Sequence, residues 1–100
     1  MWAQMLKTRI QPGQEEALQN LPQELDEQFR GEEGGPRRVV VLKDRKDDGV
    51  YYTLVFFESE ERARQYENSP AQQAIQQRMS QVWAGQPEYT DLDVVYEVNR

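Results

Sequence analysis

The chain has 100 residues and a mass of 11.8 kDa, the size of one ordinary domain, so residues 1–100 are expected to form a single unit. Hydrophobic residues make up 37% and the mean hydropathy is -0.96, lean for a core that must bury about two-thirds of the unfolded surface, so a partner surface is expected. A net charge of -6 repels phosphate backbones and argues against nucleic acid, while the absence of Cys and His excludes disulfides, thiolate metal sites, a Cys nucleophile and the commonest catalytic base.

Met1 to Ile10 alternates, with Trp2, Leu6 and Ile10 beside Gln4 and Thr8 on one face and Ala3 and Met5 beside Lys7 and Arg9 on the other, which predicts a strand. The stretch holds no apolar run of signal-peptide length. Pro12-Gly13 breaks the strand, and Gln14, Glu15 and Glu16 supply an acidic first turn for a helix. Leu18, Leu21, Leu25 and Phe29 then share one helical face as far as about Arg30. Pro22 lacks an N–H and crowds the carbonyl four residues back, so it is expected to bend that helix or divide it near Asn20. Gly31 to Pro36 ends it.

Arg38 to Asp44 carries Val39, Val40, Val41 and Leu42 in succession, a short strand apolar on both faces. Asp47-Asp48-Gly49 supplies a turn, and Val50 to Phe57 returns with Tyr51, Thr53, Val55 and Phe57 opposing Tyr52, Leu54 and Phe56. The basic residues Arg37, Arg38, Lys43, Arg45 and Lys46 lie among Glu32, Glu33, Asp44, Asp47 and Asp48, the pattern of a solvated surface. A sheet apolar on both faces needs two covers, and the chain has too few helices for both. The expected second cover is another copy of the chain.

Ser59 before Glu60 and Glu61 predicts a capped second helix, with Ala63 and Tyr66 in its first buried turn. At Ser69-Pro70-Ala71-Gln72 it restarts, with Ser69 as cap, Pro70 at the first helical position and Gln72 completing a capping box. Ala71, Ile75, Met79, Val82 and Trp83 continue at helical spacing until Gly85 and Pro87. Leu92, Val94, Tyr96 and Val98 read as a fourth alternating strand. No stretch approaches the roughly 20 apolar residues of a membrane span, so a cytoplasmic location is expected, with neither membrane nor nucleic acid as partner. The order strand, helix, strand, strand, helix, strand is that of an α+β ferredoxin-like βαββαβ sandwich with a four-stranded antiparallel sheet.

Three stretches carry a resemblance to a known family: the first strand leading into Ile10-Gln11-Pro12-Gly13-Gln14-Glu15-Glu16, the hairpin at Asp47-Asp48-Gly49, and Phe57-Glu58-Ser59-Glu60-Glu61 followed by Tyr66-Glu67-Asn68-Ser69-Pro70. On these the chain resembles the antibiotic biosynthesis monooxygenase family of dimeric α/β barrels over nearly its whole length. The resemblance implies a homodimer built sheet to sheet, the same conclusion as the two-sided strands. The haem-degrading relatives of that fold use an Asn on the first strand and a Trp and a His on the second helix. The matching positions here are Leu6, Tyr66 and Gln76, so haem degradation does not carry over.

The cofactor-independent branch of the family oxidises phenols, quinols or anthrones by stabilising a deprotonated substrate that itself gives an electron to oxygen. The resemblance therefore implies a monooxygenase without metal or flavin, acting on a small aromatic in an apolar pocket between sheet and helices. Tyr51, Tyr52, Tyr66 and Trp83 are the candidate lining residues, with Gln4, Thr8, Thr53 and Arg38 as candidate polar contacts. Gln4 and Thr8 share a face with Trp2, Leu6 and Ile10 and must find partners if that face is buried. The alternative is a non-catalytic homodimer of the same fold that binds a small ligand or regulates another protein.

Other chemistry does not fit. A calcium loop starting at Asp44 would have Lys46 at its third position and Val55 at its twelfth, where a bidentate Glu belongs. Gly31, Gly34 and Gly35 precede no Gly-Lys-Ser/Thr, and Ser59 and Ser69 have no His to activate them.

Overall fold

The computed structural model describes residues 1–29 and 35–100, excepting the side chains of residues 21, 22 and 25–29. The predicted apolar positions Leu21, Leu25 and Phe29, and the loop at residues 30–34, lie outside what is described. The elements are β1 (Trp2–Arg9), α1 (Glu15–Phe29), β2 (Arg38–Lys43), β3 (Val50–Phe57), α2 (Glu60–Glu67), α3 (Pro70–Met79) and β4 (Glu88–Asp93). The strands form one antiparallel sheet in the order β2-β3-β1-β4, the ferredoxin-like arrangement expected for an α+β sandwich.

Register divides the side chains between two faces. Trp2 pairs with Phe57, Gln4 with Val55, Leu6 with Thr53 and Thr8 with Tyr51 across β1 and β3, and this set lies under the helices. One buried cluster joins Trp2 and Phe57 to Ala63 and Tyr66 of α2. A second joins Ile10 to Leu18 of α1, Met79 of α3 and Val82. The other face carries Ala3, Met5, Val40, Leu54, Phe56 and Leu92, matched through the pairs Ala3 with Phe56, Met5 with Leu54, Val40 with Leu54 and Ala3 with Leu92. Neither buried cluster includes a residue of that face.

The β2–β3 hairpin closes through Asp44, whose Oδ1 accepts the N–H groups of Lys46 at 2.8 Å and Asp47 at 3.1 Å. Gly49 lies against Arg9, where an added Cβ would meet Nη1 at 3.3 Å. Ser59 and Ser69 cap α2 and α3 by accepting from the N–H groups of Arg62 and Gln72, each at 3.2 Å. Only half of the expected capping box forms. The Ser69 N–H, which the Gln72 side chain would take, is bonded instead to the Tyr66 carbonyl at 2.9 Å, because α2 ends directly beneath it.

Three expectations need correction. First, of the bend or division expected at Pro22 the division does not occur, α1 being one element from Glu15 to Phe29. A proline costs one backbone hydrogen bond, and seven helical residues stand on each side of it within the element.

Second, α3 stops at Met79, so Val82 and Trp83 are off the helix. The N–H groups of Val82 and Trp83 both turn back to the Met79 carbonyl, at 2.8 and 3.0 Å. The chain then leaves to bridge β1: Trp83 pairs with Ile10, the Gln11 N–H donates to Val82 at 2.9 Å, and the Ala84 N–H donates to Arg9 at 2.6 Å.

Third, β4 covers Glu88–Asp93 in place of Leu92 to Val98. Its ladder runs from Lys7 opposite Glu88 to Trp2 opposite Asp93 and ends where β1 ends, apart from one bond of 3.0 Å from the Val94 N–H to the Met1 carbonyl. Val95 and Tyr96 beyond it are 94% and 84% exposed.

Candidate functional site

The two buried clusters do not meet. Between them, under α1 and α3, lies a cavity of about 110 Å³. Its floor is the helix-side row of the sheet, with Gln4, Leu6 and Thr8 from β1, Val39 from β2 and Thr53, Val55 and Phe57 from β3. Leu18, Gln72, Ile75 and Met79 form the roof, and Trp83 and Tyr89 stand at one end. The local sequence explains the arrangement. Strand alternation delivers every second residue to the floor, and the cap at Ser69 sets the phase that points Gln72, Ile75 and Met79 inward at spacings of three and four.

Of the expected site residues, Gln4, Thr8, Thr53 and Trp83 line this cavity. The other four lie elsewhere. Tyr51 shares the helix-side face but packs on the Ile10 cluster, and Tyr66 packs with its ring tilted against Phe57 at 5.9 Å in the Trp2 cluster. Tyr52 and Arg38 belong to the opposite face. There the Tyr52 hydroxyl donates to Asp44 at 3.2 Å, while Arg38 lies 5.6 Å from the Phe56 ring centre and 3.9 Å from Glu97. The aromatics were hard to separate by sequence because β3 is apolar on both faces, so alternation gives no sign of which row faces the helices.

Tyr89 and Gln72 were missed. Tyr89 reaches the floor because β4 begins at Glu88 and pairs Tyr89 with Leu6, and this register depends on where the bridge at Trp83 releases the chain. A signal for Gln72 did exist, since it stands three and seven residues before Ile75 and Met79 on the same helical stripe.

Among the described residues no charged side chain lines the cavity. Its polar groups are the amides of Gln4 and Gln72, the hydroxyls of Thr8, Thr53 and Tyr89, and the indole N–H of Trp83. The Gln4 Nε2 donates to Asp91 at 3.1 Å, and the other Asp91 oxygen accepts from Arg64 at 3.0 Å. Arg64 is also 5.3 Å from the Trp2 ring centre. This chain of contacts holds the amide of Gln4 and leaves its carbonyl oxygen to accept. Thr8, buried, donates to the Tyr51 carbonyl at a long 3.4 Å. Thr53 makes no side-chain hydrogen bond among the described residues. Tyr89 is the single titratable side chain on the wall among the described residues; burial first and the nearby Glu67 second raise its pKa, so at neutral pH it donates and is no base. Among the described residues no three His, Cys, Asp or Glu converge as metal ligands, and no described helix is long and apolar enough to cross a membrane.

The family model for antibiotic biosynthesis monooxygenases matches residues 1–78. The chain belongs to the antibiotic biosynthesis monooxygenase family. Solved structures extend the likeness to the whole monooxygenase-family fold. Rv0793 from Mycobacterium tuberculosis superposes with a TM-score of 0.76 at 16% identity, covering 98% of both chains. A Caulobacter crescentus protein described as a putative antibiotic biosynthesis monooxygenase gives 0.80 at 19% identity, over 95% of this chain and 90% of that one. PA3566 from Pseudomonas aeruginosa gives 0.70 at 16%, over 95% and 94%. At these identities the likeness is one of fold. No curated protein matches the sequence.

Proposed function

We propose that this member of the antibiotic biosynthesis monooxygenase family binds a single-ring phenol or quinol in the cavity between sheet and helices and oxidises it with dioxygen. The observation that carries the reading is the cavity itself: about 110 Å³, mostly apolar, with uncharged hydrogen-bonding groups along its wall. An apolar cavity of about 150 Å³ accepts benzene, so a cavity of about 110 Å³ limits a ligand to one ring at most and excludes a fused polycycle.

A quinol supplies its own electrons. Benzene-1,4-diol and one dioxygen give hydroxybenzoquinone and one water; one oxygen atom enters the ring, the other leaves as water, and no external reductant is consumed. The residues contribute binding and electrostatics. The Trp83 indole, the Gln72 amide and the protonated Tyr89 hydroxyl are donors for a developing phenolate oxygen, and Leu6, Leu18, Val39, Ile75 and Met79 exclude water and strengthen those bonds.

Oxygen uptake with a quinol panel, read alongside hydroxyquinone absorbance, tests the reading. Turnover that falls in Gln72→Leu supports it; saturable binding without oxygen uptake overturns the catalytic part. One observation favours that second reading, a non-catalytic binder: among the described residues the only titratable one on the wall, Tyr89, is pushed toward its protonated form, and none of them is a base.

A second copy of the chain is the proposed cover for the open sheet face, giving a dimeric α/β barrel. Support comes from the continuous row of Met5, Val40, Leu54, Phe56 and Leu92 on that face and from the exposed Val95, Tyr96 and Val98 beside it. Surface of this kind is characteristic of obligate interfaces.

A further inference from the structure

Two spaces meet at Trp83 and Tyr89. The inner one is the cavity described above, and the outer is a depression of about 430 Å³ lined by these same two side chains with Gln76, Ser80, Gly85, Gln86 and Pro87. The cavity also adjoins a hollow of about 30 Å³ that shares Gln4, Phe57 and Gln72 with it and Gln76 with the outer depression, and that is bordered by Arg64 and Glu67. The volumes decide which way a ligand can extend. About 30 Å³ is the share of a single water molecule, whereas the space beyond Trp83 and Tyr89 holds a substituent of many atoms. Arg64 is in any case already engaged by Asp91, Glu67 and the Trp2 ring.

The outer space has its own chemistry. Gln76 and Gln86 each offer an amide and Ser80 a hydroxyl, and no described lining side chain is charged. The turn that forms it is set by Gly85, which adopts φ +97, and by Pro87. An anionic group there would approach Tyr89, on which Glu67 already acts, under a net charge of -6.

The geometry points to a two-part ligand: one neutral aromatic ring in the inner cavity, joined between Trp83 and Tyr89 to an uncharged, hydroxyl-rich substituent in the outer depression. This rests on the reading that the inner cavity takes a phenol-type ring. It makes Gln76 and Gln86 specificity-determining residues although neither touches the ring. Amide and hydroxyl groups discriminate in favour of a partner that completes their hydrogen bonds, and an exposed site with no fixed charge gains little from an ionic one.

Amide chemical-shift titrations of the full chain test the inference with four probes: phenol, 4-hydroxyphenyl β-glucoside, 4-hydroxyphenylacetate and tyramine. Phenol is expected to move the Thr53 and Ile75 resonances. The glucoside is expected to bind about tenfold more tightly than phenol, the effect of roughly one added hydrogen bond, and to move Ser80 and Gln86 as well. Gln76→Ala combined with Gln86→Ala, both exposed positions, should remove that gain and leave phenol affinity unchanged. A glucoside no tighter than phenol, or an acetate or amine that gains as much, overturns the two-part ligand while leaving phenol binding intact. Failure of phenol and glucoside alike overturns the underlying reading of the cavity as well.

Discussion

Phe56 and Phe57 are neighbours in sequence on opposite faces of one strand, and truncating each to alanine should have different kinds of effect. Phe57 is buried and makes tilted ring contacts with Trp2 at 6.1 Å and Tyr66 at 5.9 Å. Removing it costs about 3–5 kcal/mol for a core Phe→Ala change, with the two ring contacts placing it toward the upper end. Domains of this size carry roughly 5–15 kcal/mol in all and shift by about 4–8 °C per kcal/mol. Phe57→Ala should therefore lower Tm by about 12 °C or more at any protein concentration. Phe56 is half-buried and within the chain is paired mainly with Arg38 at 5.6 Å, an exposed cation–π contact worth roughly 0.5–1 kcal/mol. If a second copy covers the open face, the loss in Phe56→Ala becomes larger and dependent on concentration, because it acts on association. Urea unfolding at two protein concentrations ten- to a hundredfold apart, with the mass in solution measured by light scattering, separates the cases. Equal and concentration-independent losses at both positions would refute the assignment of the two faces.

Phe56→Asp or Val40→Asp places an unpaired charge on the open face, so monomeric or unfolded protein is expected by light scattering, and an unchanged dimer would contradict the covered sheet. Ser69→Ala removes the cap of α3 and should cost about 1 kcal/mol in urea unfolding, together with weakened phenol binding because Gln72 and Ile75 lie on that helix. Thr53→Val should leave stability almost unchanged, since the hydroxyl has no side-chain partner among the described residues, yet weaken a hydroxylated ligand in a binding titration. Asp44 is held below the usual carboxylate range, first by the N–H groups of Lys46 and Asp47. A lowered folded-state pKa contributes stability that is present above the ordinary carboxylate pKa and lost as pH falls through the lowered value. Acid unfolding of Asp44→Asn should accordingly lose part of its slope below about pH 4, and an unchanged slope would remove Asp44 from the account.

The sheet and the helix starts were legible because each rests on a local signal. Val50 to Phe57 emerges with the predicted bounds because Asp44 and Gly49 fix the turn before it, and Ser59 and Ser69 cap as expected because capping needs only the next three residues. The errors came where a distant partner decides. Val82 and Trp83 continue the helical stripe in sequence, but their backbone is worth more bridging Ile10 and Gln11 than extending α3 alone. Leu92 to Val98 alternates well enough for a strand, yet pairing stops at Asp93 for want of a neighbour. The same two shifts bring Trp83 and Tyr89 together, so the end of the cavity was the part of the site least visible in the sequence.

The cavity also accounts for a feature of the composition. Among the described residues no large side chain is fully buried, because the space where the two clusters would merge is left open. At about 24 cal/mol per Å³ of apolar cavity, 110 Å³ forgoes roughly 2.6 kcal/mol of packing, a large fraction of the stability expected for a lean core. A larger residue at Thr53 or Val39 would recover part of it. A ligand at a hundred times its Kd returns about 2.7 kcal/mol, nearly the same amount, so occupancy offsets the cost of keeping the space open. The two quantities connect stability to function in one direction: Thr53→Leu should raise Tm while closing the site to phenol, whereas a cavity that is only a packing defect would be filled with no loss of binding.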